Sequence, residues 1–118
     1  MGSRASENRK PRAGGTETDG GTLMQVFYTW EADDDLVEIG VYTCMEWGDA
    51  QWALYRELLT HACETLIPQN ADRARAVEGR PGLRRWRCER HVIYFRTVDD
   101  GLEIVRVLHE RMAPELHL

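Results

Sequence analysis

Lysine is nearly absent from this sequence of 118 residues, since the single copy is Lys10. Residues 1–22 also contain no Val, Ile, Leu, Phe, Trp or Tyr. A segment with so little apolar surface cannot offset the entropy that its ordering would cost. Residues 1–23 are therefore predicted to be a disordered leader, with Met24 as an alternative translation start. Residues 24–118 are predicted to form one folded domain.

Long apolar runs and paired cysteines are missing as well. No run approaches the roughly 20 apolar residues that span a bilayer, and the leader has no apolar stretch behind its basic residues, which excludes a signal peptide. Cys44, Cys63 and Cys88 have neither CxxC nor His-paired spacing. The sequence therefore predicts a reduced, cytoplasmic protein with no membrane contact, metal site or cofactor.

Charge is divided unevenly along the chain. Residues 24–66 contain nine acids and one arginine, whereas residues 72–96 contain eight arginines and three acids. Opposite fields at two ends of a small domain favour an oriented encounter with a charged partner. The alternative is that the two halves neutralise each other across the fold, and both interpretations stay open at this point.

The order of apolar patterns predicts the elements β-α-α-β-β-β. A short β-branched and aromatic run precedes a helix that begins near Glu31 and ends at Gly48, and a second helix runs to Pro68. Three strands follow, two of them joined by an Asp-Gly turn. We expect an α+β domain in which a helical hairpin covers one face of a mainly antiparallel four-stranded sheet. The inner stripe expected for the first helix is Ala32, Leu36, Ile39 and Tyr42 or Thr43, and the stripe expected to face the sheet from the second helix is Gln51, Leu54, Tyr55, Leu58, Ala62 and Leu66.

Several sequence motifs in residues 24–118 resemble those of the ParE family within the ParE/RelE superfamily of toxins. They are ADDDLVEI, WGDAQWALYREL, GRPGLRRW and RHVIYFRTVDDGLEIVRVLHERM. The resemblance implies a RelE/ParE-like fold, a toxin that inhibits DNA gyrase by binding, and neutralisation by a ParD-like antitoxin. It also implies that operator DNA is bound by the antitoxin complex and not directly by this chain. Ala113 and Trp52 depart from the family pattern, which usually has Asp and Ala there.

The absence of lysine from the predicted domain argues against a ribonuclease. RNA cleavage without metal needs a base, an acid and cations on the phosphate, and arginine is a poor base near neutral pH. The runner-up function is nevertheless a RelE-like ribosome-dependent endonuclease. Its candidate catalytic residues are His109, Arg106, Arg84 and Arg85. A third alternative is a degenerate module that binds an antitoxin without toxicity, for which Ala113 gives a reason.

The closing strand and the tail beyond it are where the resemblance implies contact with the target. The expected target contacts are Arg106, His109, Arg111 and Met112. Strand alternation places Ile104, Arg106 and Leu108 on one face, so Arg106 either contacts the target or forms an internal ion pair. The expected partners of such a pair are Glu57, Glu46 or the chain terminus. His109 either contacts the target or fixes the exit of the tail, where His117 is expected to fray.

The antitoxin is expected to contact the second helix and the basic strand. Trp52 lies off the predicted stripe, so it is expected to be exposed and to bind the antitoxin together with Leu59. An acidic peptide would fit the basic strand, although such a strip is also compatible with a nucleic-acid platform or a solvated face. The predicted antitoxin contacts are Trp52, Leu59, Arg84, Arg85, Trp86 and Arg87.

Overall fold

The structure, a computed structural model, describes residues 10–11 and 25–118. Most of the predicted leader, including Met24, lies outside the described residues, so its disorder stays a prediction. The strands are β1 (Lys10–Pro11), β2 (Gln25–Tyr28), β3 (Arg75–Ala76), β4 (Arg84–Cys88), β5 (His91–Val98) and β6 (Gly101–His109). The helices are α1 (Trp30–Trp47), α2 (Asp49–His61) and α3 (Ile67–Asn70), with a π-helical turn at Ala62–Leu66 and 3₁₀ turns at Ala71–Arg73 and Pro114–Leu116.

The described strands form one mixed sheet in the order β1-β2-β6-β5-β4-β3. The four predicted strands make up its centre, and the two-residue strands β1 and β3 extend its edges. Among the described pairs, β2–β6 alone is parallel, and the others are antiparallel. The predicted α+β class, with a helical hairpin on a mainly antiparallel sheet, is confirmed, and the sheet has more strands than predicted.

Local signals set the boundaries of the two long helices. The side chain of Thr29 caps α1 by accepting a hydrogen bond from the N–H of Ala32 at 3.0 Å. Gly48 separates α1 from α2 with a φ of 95°, a conformation that glycine adopts without steric cost. Pro68 does not end the helical segment as predicted. It lies in the first turn of α3, where its missing N–H leaves no hydrogen bond unmade, after the wider π turn has changed the helical register.

The main hydrophobic core lies between the sheet and the helices. The sheet face that packs against the helices, called the helix face below, contributes fully buried side chains from every central strand but β4. They include Val26, Ile93, Phe95, Leu102, Ile104 and Val107. Helix α1 adds Ala32, Leu36 and Ile39 from its predicted inner stripe. Burial of this apolar surface is the main stabilising contribution to the fold.

Helix α2 is rotated about its axis relative to the prediction. Leu54 and Leu58 from the predicted stripe are 62% and 46% exposed, whereas Leu59 is 2% exposed. The core-facing line of α2 and the π turn consists of Trp52, Tyr55, Leu59, Ala62, Cys63 and Leu66, and its members Tyr55, Ala62 and Leu66 are the confirmed part of the predicted stripe. Gly40 of α1 supplies the reason, because a Cβ atom there would lie 2.9 Å from the Trp52 ring. The missing side chain therefore lets the indole pack against α1, which turns Leu54 outward.

The predicted Asp-Gly hairpin between β5 and β6 is present, with Val98 opposite Gly101. Gly101 also lies opposite Gln25 in the parallel β2–β6 pair. A Cβ atom on Gly101 would collide with the backbone of Gln25. Glycine at this turn therefore serves two purposes, because it closes the hairpin and lets β2 approach β6.

Candidate functional site

A β-bulge in β6 determines which way Arg106 points. Tyr94 pairs with Arg106, but the next residue, Phe95, pairs with Ile104, so Val105 is an extra residue without a partner on β5. An extra residue reverses the alternation of the side chains that follow it. Arg106 therefore lies on the sheet face opposite to Ile104, and the prediction that the two share a face is wrong.

Arg106 joins three parts of the fold through its guanidinium group. Its Nε and Nη2 atoms each donate a hydrogen bond of 2.8 Å to the carboxylate of Asp35 on α1. Its Nη1 atom donates to the backbone oxygen of His117 in the tail, also at 2.8 Å. The hydrogen bond to Asp35 raises the pKa of Arg106, so the guanidinium stays charged. The internal ion pair, one of the two alternatives for Arg106, is therefore present.

The partner of this ion pair differs from the expected Glu57, Glu46 or chain terminus. Strand β2 ends at Tyr28, opposite Ile104, so the rest of the β6 edge faces the first turns of α1. There the Thr29 hydroxyl donates to the carbonyl oxygen of Val105 at 2.8 Å. Asp35 accepts the backbone N–H of Val107 at 2.8 Å as well as the arginine. Asp35 thus pairs with a backbone N–H at the edge of β6 and with the guanidinium of Arg106. A glutamate on the outer surface could not reach both groups.

A small second apolar cluster lies on the other side of the sheet, called the tail face below. Leu83, Tyr94 and Leu108 are its buried members, and Leu118 of the tail packs against them. Arg80 donates a hydrogen bond to the backbone oxygen of Leu118. The expected fraying of His117 is therefore not what the structure shows, because Arg106 and Arg80 hold the two last residues of the tail against the sheet.

His91, His109 and Tyr55 form a polar cluster at one end of the sheet. The Tyr55 hydroxyl lies 2.7 Å from Nδ1 of His91, and the rings of His91 and His109 meet edge to face at 5.2 Å. Burial, together with the smaller effect of the neighbouring His109, lowers the pKa of His91 from 6.5 to about 4. His91 is therefore neutral near pH 7. The Nδ1 atom of His109 accepts the N–H of Arg111 at 3.1 Å, which fixes the exit of the tail.

The four candidate nuclease residues are not gathered into one site. His109 lies on the helix face beside His91, whereas Arg106 lies on the tail face beside Tyr94. Arg84 pairs with Phe95 and donates to the carbonyl oxygen of Ala74 at 2.8 Å. The structure brings Arg106 and Arg85 to the same face, on either side of Tyr94. A base, an acid and phosphate-binding cations do not converge there.

The basic strand β4 is also divided between the two faces. Trp86 packs against the main core, so Arg84 shares its face, whereas Arg85 and Arg87 project to the tail face. Arg87 forms an ion pair with Glu110. Arg75 of β3 stands directly opposite Arg85. Like charges directly opposite each other are unfavourable in a sheet, so this edge of the tail face is suited to an anionic partner.

An open groove of about 1230 Å³ lies between α1 and α2 and reaches Tyr28 of β2. Trp52 and Leu59 line it, but Trp52 is half-buried against the core and not exposed as expected, and Leu59 is buried. The exposed apolar residues of the groove are Trp30, Val37, Val41 and Met45 of α1. The spacing of four residues from Val37 to Val41 and Met45 was the signal available in the sequence, on the side of α1 opposite to its predicted inner stripe.

Arg111 and Met112 are exposed at the turn that follows β6. The N–H of Met112 donates to the carbonyl oxygen of His109 at 2.9 Å, which closes the turn. Within residues 10–11 and 25–118, no helix is long and apolar enough to cross a membrane. The same residues contain no group of three His, Cys, Asp or Glu side chains that could hold a metal ion.

Comparison with known proteins shows the family to which this chain belongs. Residues 26–114 match the family model described as "ParE toxin of type II toxin-antitoxin system, parDE". The chain belongs to the ParE toxin family. It is 32% identical to Toxin ParE1 of Mycobacterium tuberculosis strain ATCC 25618 / H37Rv over 88 residues, which are 74% of this chain and 90% of that relative. It is 37% identical to Toxin ParE of Escherichia coli over 86 residues, which are 71% of this chain and 82% of that one.

A solved structure shows the same fold at lower sequence identity. It is described as "Chromosomal ParDE TA system from P. aeruginosa", has a TM-score of 0.64, and covers 73% of this chain and 95% of its own. At 19% identity this likeness concerns the fold alone. The family match of this ParE-type toxin extends over the groove, the bulge, Arg106 and His109.

Proposed function

We propose that this ParE-type toxin inhibits DNA gyrase by binding it, without catalysis, and that a ParD-like antitoxin neutralises it in the cytoplasm. Family membership supports the module and its target. The observation that carries the non-enzymatic part is the placement of His109 and Arg106 on opposite faces of the sheet. A ribonuclease would need these groups to converge on one phosphate.

The hydrogen bonds of the candidate catalytic groups support the same proposal. Nδ1 of His91 is occupied by Tyr55, and Nδ1 of His109 accepts the N–H of Arg111. The Arg106 guanidinium is bound to Asp35 and to the tail, and its side chain is only 20% exposed. These contacts hold the structure of the toxin together, and all three nitrogen atoms of the Arg106 guanidinium already donate within it.

The groove between α1 and α2 is the proposed binding site of the antitoxin. An amphipathic helix places apolar residues at intervals of three and four, which fits a groove with Val37, Val41 and Met45 along one side. The charged residues that line the groove are Asp33, Asp34, Glu64 and Arg56, and this excess of acids favours basic residues beside the apolar stripe of the partner. An acidic segment of the same antitoxin would complement the arginine edge of β3 and β4.

Induced expression with separate readouts of DNA and protein synthesis tests the activity. We expect DNA synthesis to stop first, and the purified toxin to inhibit supercoiling by gyrase. Transcripts cut on translating ribosomes, with cutting abolished by His109→Ala, would support the nuclease instead.

Paired substitutions on α1 test the antitoxin-binding site. Val41→Asp places a charge in the apolar groove and is expected to weaken antitoxin binding by about 100-fold. Tyr42→Asp is the matched control, because Tyr42 is also exposed but does not line the groove. Its affinity should change less than about threefold. Equal affinities for the two variants in a calorimetric titration would exclude the groove.

A non-toxic antitoxin-binding module is the second candidate, and Ala113 favours it. Ala113 occupies the N-cap of the 3₁₀ turn Pro114–Leu116, and no side-chain hydrogen bond caps that turn. The aspartate usual in the family could accept an N–H there, so the tail begins less firmly in this chain. Expression that affects neither DNA nor protein synthesis, with antitoxin binding retained, would identify this function.

A further inference from the structure

The tail beyond β6 is attached to the sheet at both of its ends. We propose that residues 113–118 are a strap on the tail face and that Arg106 is the positioning residue that holds the strap and thereby presents Arg111 and Met112. The inference rests on the proposed function for the role of these two residues, because they are the predicted target contacts. The strap itself rests on the contacts of the described residues alone.

The bulge at Val105 is the first step of the argument. Regular alternation from Ile104 would place Arg106 on the helix face, inside the main core, where its charge would be costly to bury. The extra residue moves Arg106 to the tail face, where its side chain reaches both the β6 edge and the strap. The bulge therefore places the charged group of Arg106 where it can contact both the β6 edge and the strap.

The shape of the guanidinium group is the second step. Asp35 binds Nε and Nη2 side by side, which fixes the plane of the group and directs Nη1 at the backbone oxygen of His117. A bidentate pair of this kind specifies geometry as well as charge. Asp35 is itself held by the N–H of Val107. Helix α1 thus fixes Asp35, Asp35 orients Arg106, and Arg106 holds the strap.

The two ends of the tail enclose the exposed residues between them. At the start, His109 accepts the N–H groups of Arg111 and Met112, one through its ring and one through its carbonyl oxygen. At the end, Arg106 binds His117, and Leu118 packs on the buried side chains of the tail face. Because both ends are fixed, Arg111 and Met112 protrude from a rigid turn and are not part of a free terminus.

Hydrogen exchange of Arg106→Lys tests the positioning role. Lysine keeps the charge but cannot bind Asp35 in a bidentate manner and reach His117 at the same time. We expect the amides of Leu116, His117 and Leu118 to exchange about tenfold faster than in the parent protein. The amide of Val107, bound to Asp35, should keep its protection. Arg73→Lys is the matched control, because Arg73 is exposed and lies outside the strap.

Two outcomes of the exchange experiment would overturn the inference. Unchanged exchange at residues 116–118 would show that Arg106 does not hold the strap. Equally faster exchange at Val107 and throughout β6 would show that Arg106 supports the whole fold without a distinct role in the tail. Neither outcome depends on toxicity, so they are distinguishable from a failure of the proposed function.

Leu118→Asp connects the strap to function without altering Arg106 or Asp35. It should release the strap from the apolar cluster, accelerate exchange at residues 116–118, and lower gyrase inhibition about tenfold while antitoxin affinity changes less than threefold. A released strap with undiminished inhibition would refute the presentation of Arg111 and Met112. A parent protein that does not inhibit gyrase would refute the proposed function, and the exchange results would still decide whether the strap exists.

Discussion

The two faces of the sheet are packed in different ways. The helix face buries a continuous apolar core under α1 and α2, with Phe95, Ile104 and Leu102 fully inaccessible. Among the described residues, the apolar side chains buried on the tail face are only Leu83, Tyr94 and Leu108, and the cover of this face is held by arginine hydrogen bonds to backbone oxygens. Hydrophobic burial scales with area, whereas each such hydrogen bond contributes about 1 kcal/mol or little more.

This difference indicates that the two faces of the sheet have different roles within one small domain. A face that provides most of the stability must stay closed, so the core under the helices is a scaffold. A face held by a few hydrogen bonds can open or exchange partners at low cost. Of the expected target contacts, Arg106 lies on that second face together with the arginine edge, whereas the groove proposed for the antitoxin lies between the helices.

Matched truncations of one side chain on each face give the largest expected effect. Ile104 and Leu108 are both buried in β6, on the helix face and tail face respectively. Ile104→Ala should lower the free energy of unfolding by about 4 kcal/mol, because the dense core cannot collapse around the cavity. Leu108→Ala should cost about 2 kcal/mol, because the strap can settle into the space. Urea unfolding measures both, and equal losses would remove the distinction between the faces.

The polar cluster at the end of the sheet predicts an intermediate, pH-dependent effect. The pKa of His91 is lowered to about 4 from 6.5 by burial and by His109. The unfolded chain therefore binds a proton that the folded protein resists, so the stability contributed by neutral His91 is complete above pH 6.5 and is lost as the pH falls towards 4. Because the ring is partly exposed, we expect a loss on the order of 1–2 kcal/mol.

Chemical unfolding at a series of pH values measures this dependence. Tyr55 contacts the His91 ring, and the charges of Glu110 and Asp35 raise its pKa. The substitution is therefore made at His91 itself, so that these three residues are unchanged. His91→Phe should flatten the curve between pH 6.5 and 4. His61→Gln is the control, because His61 is exposed and should leave the curve as it is. A His91→Phe curve as steep as that of the parent protein would assign the dependence to other groups.

The element order was predictable because its signals are local. Thr29, Gly48 and the turn before Gly101 each specify a boundary through their own backbone or side-chain chemistry. The extra turns between α2 and β4 were missed, because segments this short carry no periodicity. Strand β3 illustrates this, since two residues that pair only with β4 cannot be distinguished from a loop.

The site was less predictable because it depends on distant neighbours. The bulge at Val105 leaves no mark in the alternation of β6, so Arg106 was placed on the wrong face. Its partner Asp35 follows from where β2 ends, which decides what covers the β6 edge. His109 was predicted more closely, since one of its two alternatives was that it fixes the exit of the tail.

The exposed Leu54 on the rotated α2 gives the smallest expected effect and, compared with Leu59, the sharpest test. Two apolar lines run along this helix, and the sequence alone favoured the one with Leu54, whereas Gly40 admits Trp52 and turns Leu59 inward. Leu54→Ala should change the free energy of unfolding by less than about 0.5 kcal/mol, because the side chain is already 62% exposed. Leu59→Ala, the same chemical change, should cost about 3 kcal/mol. If urea unfolding shows a larger loss of unfolding free energy for Leu54→Ala than for Leu59→Ala, the predicted stripe is correct. Leu59 would then not form the buried lining of the groove.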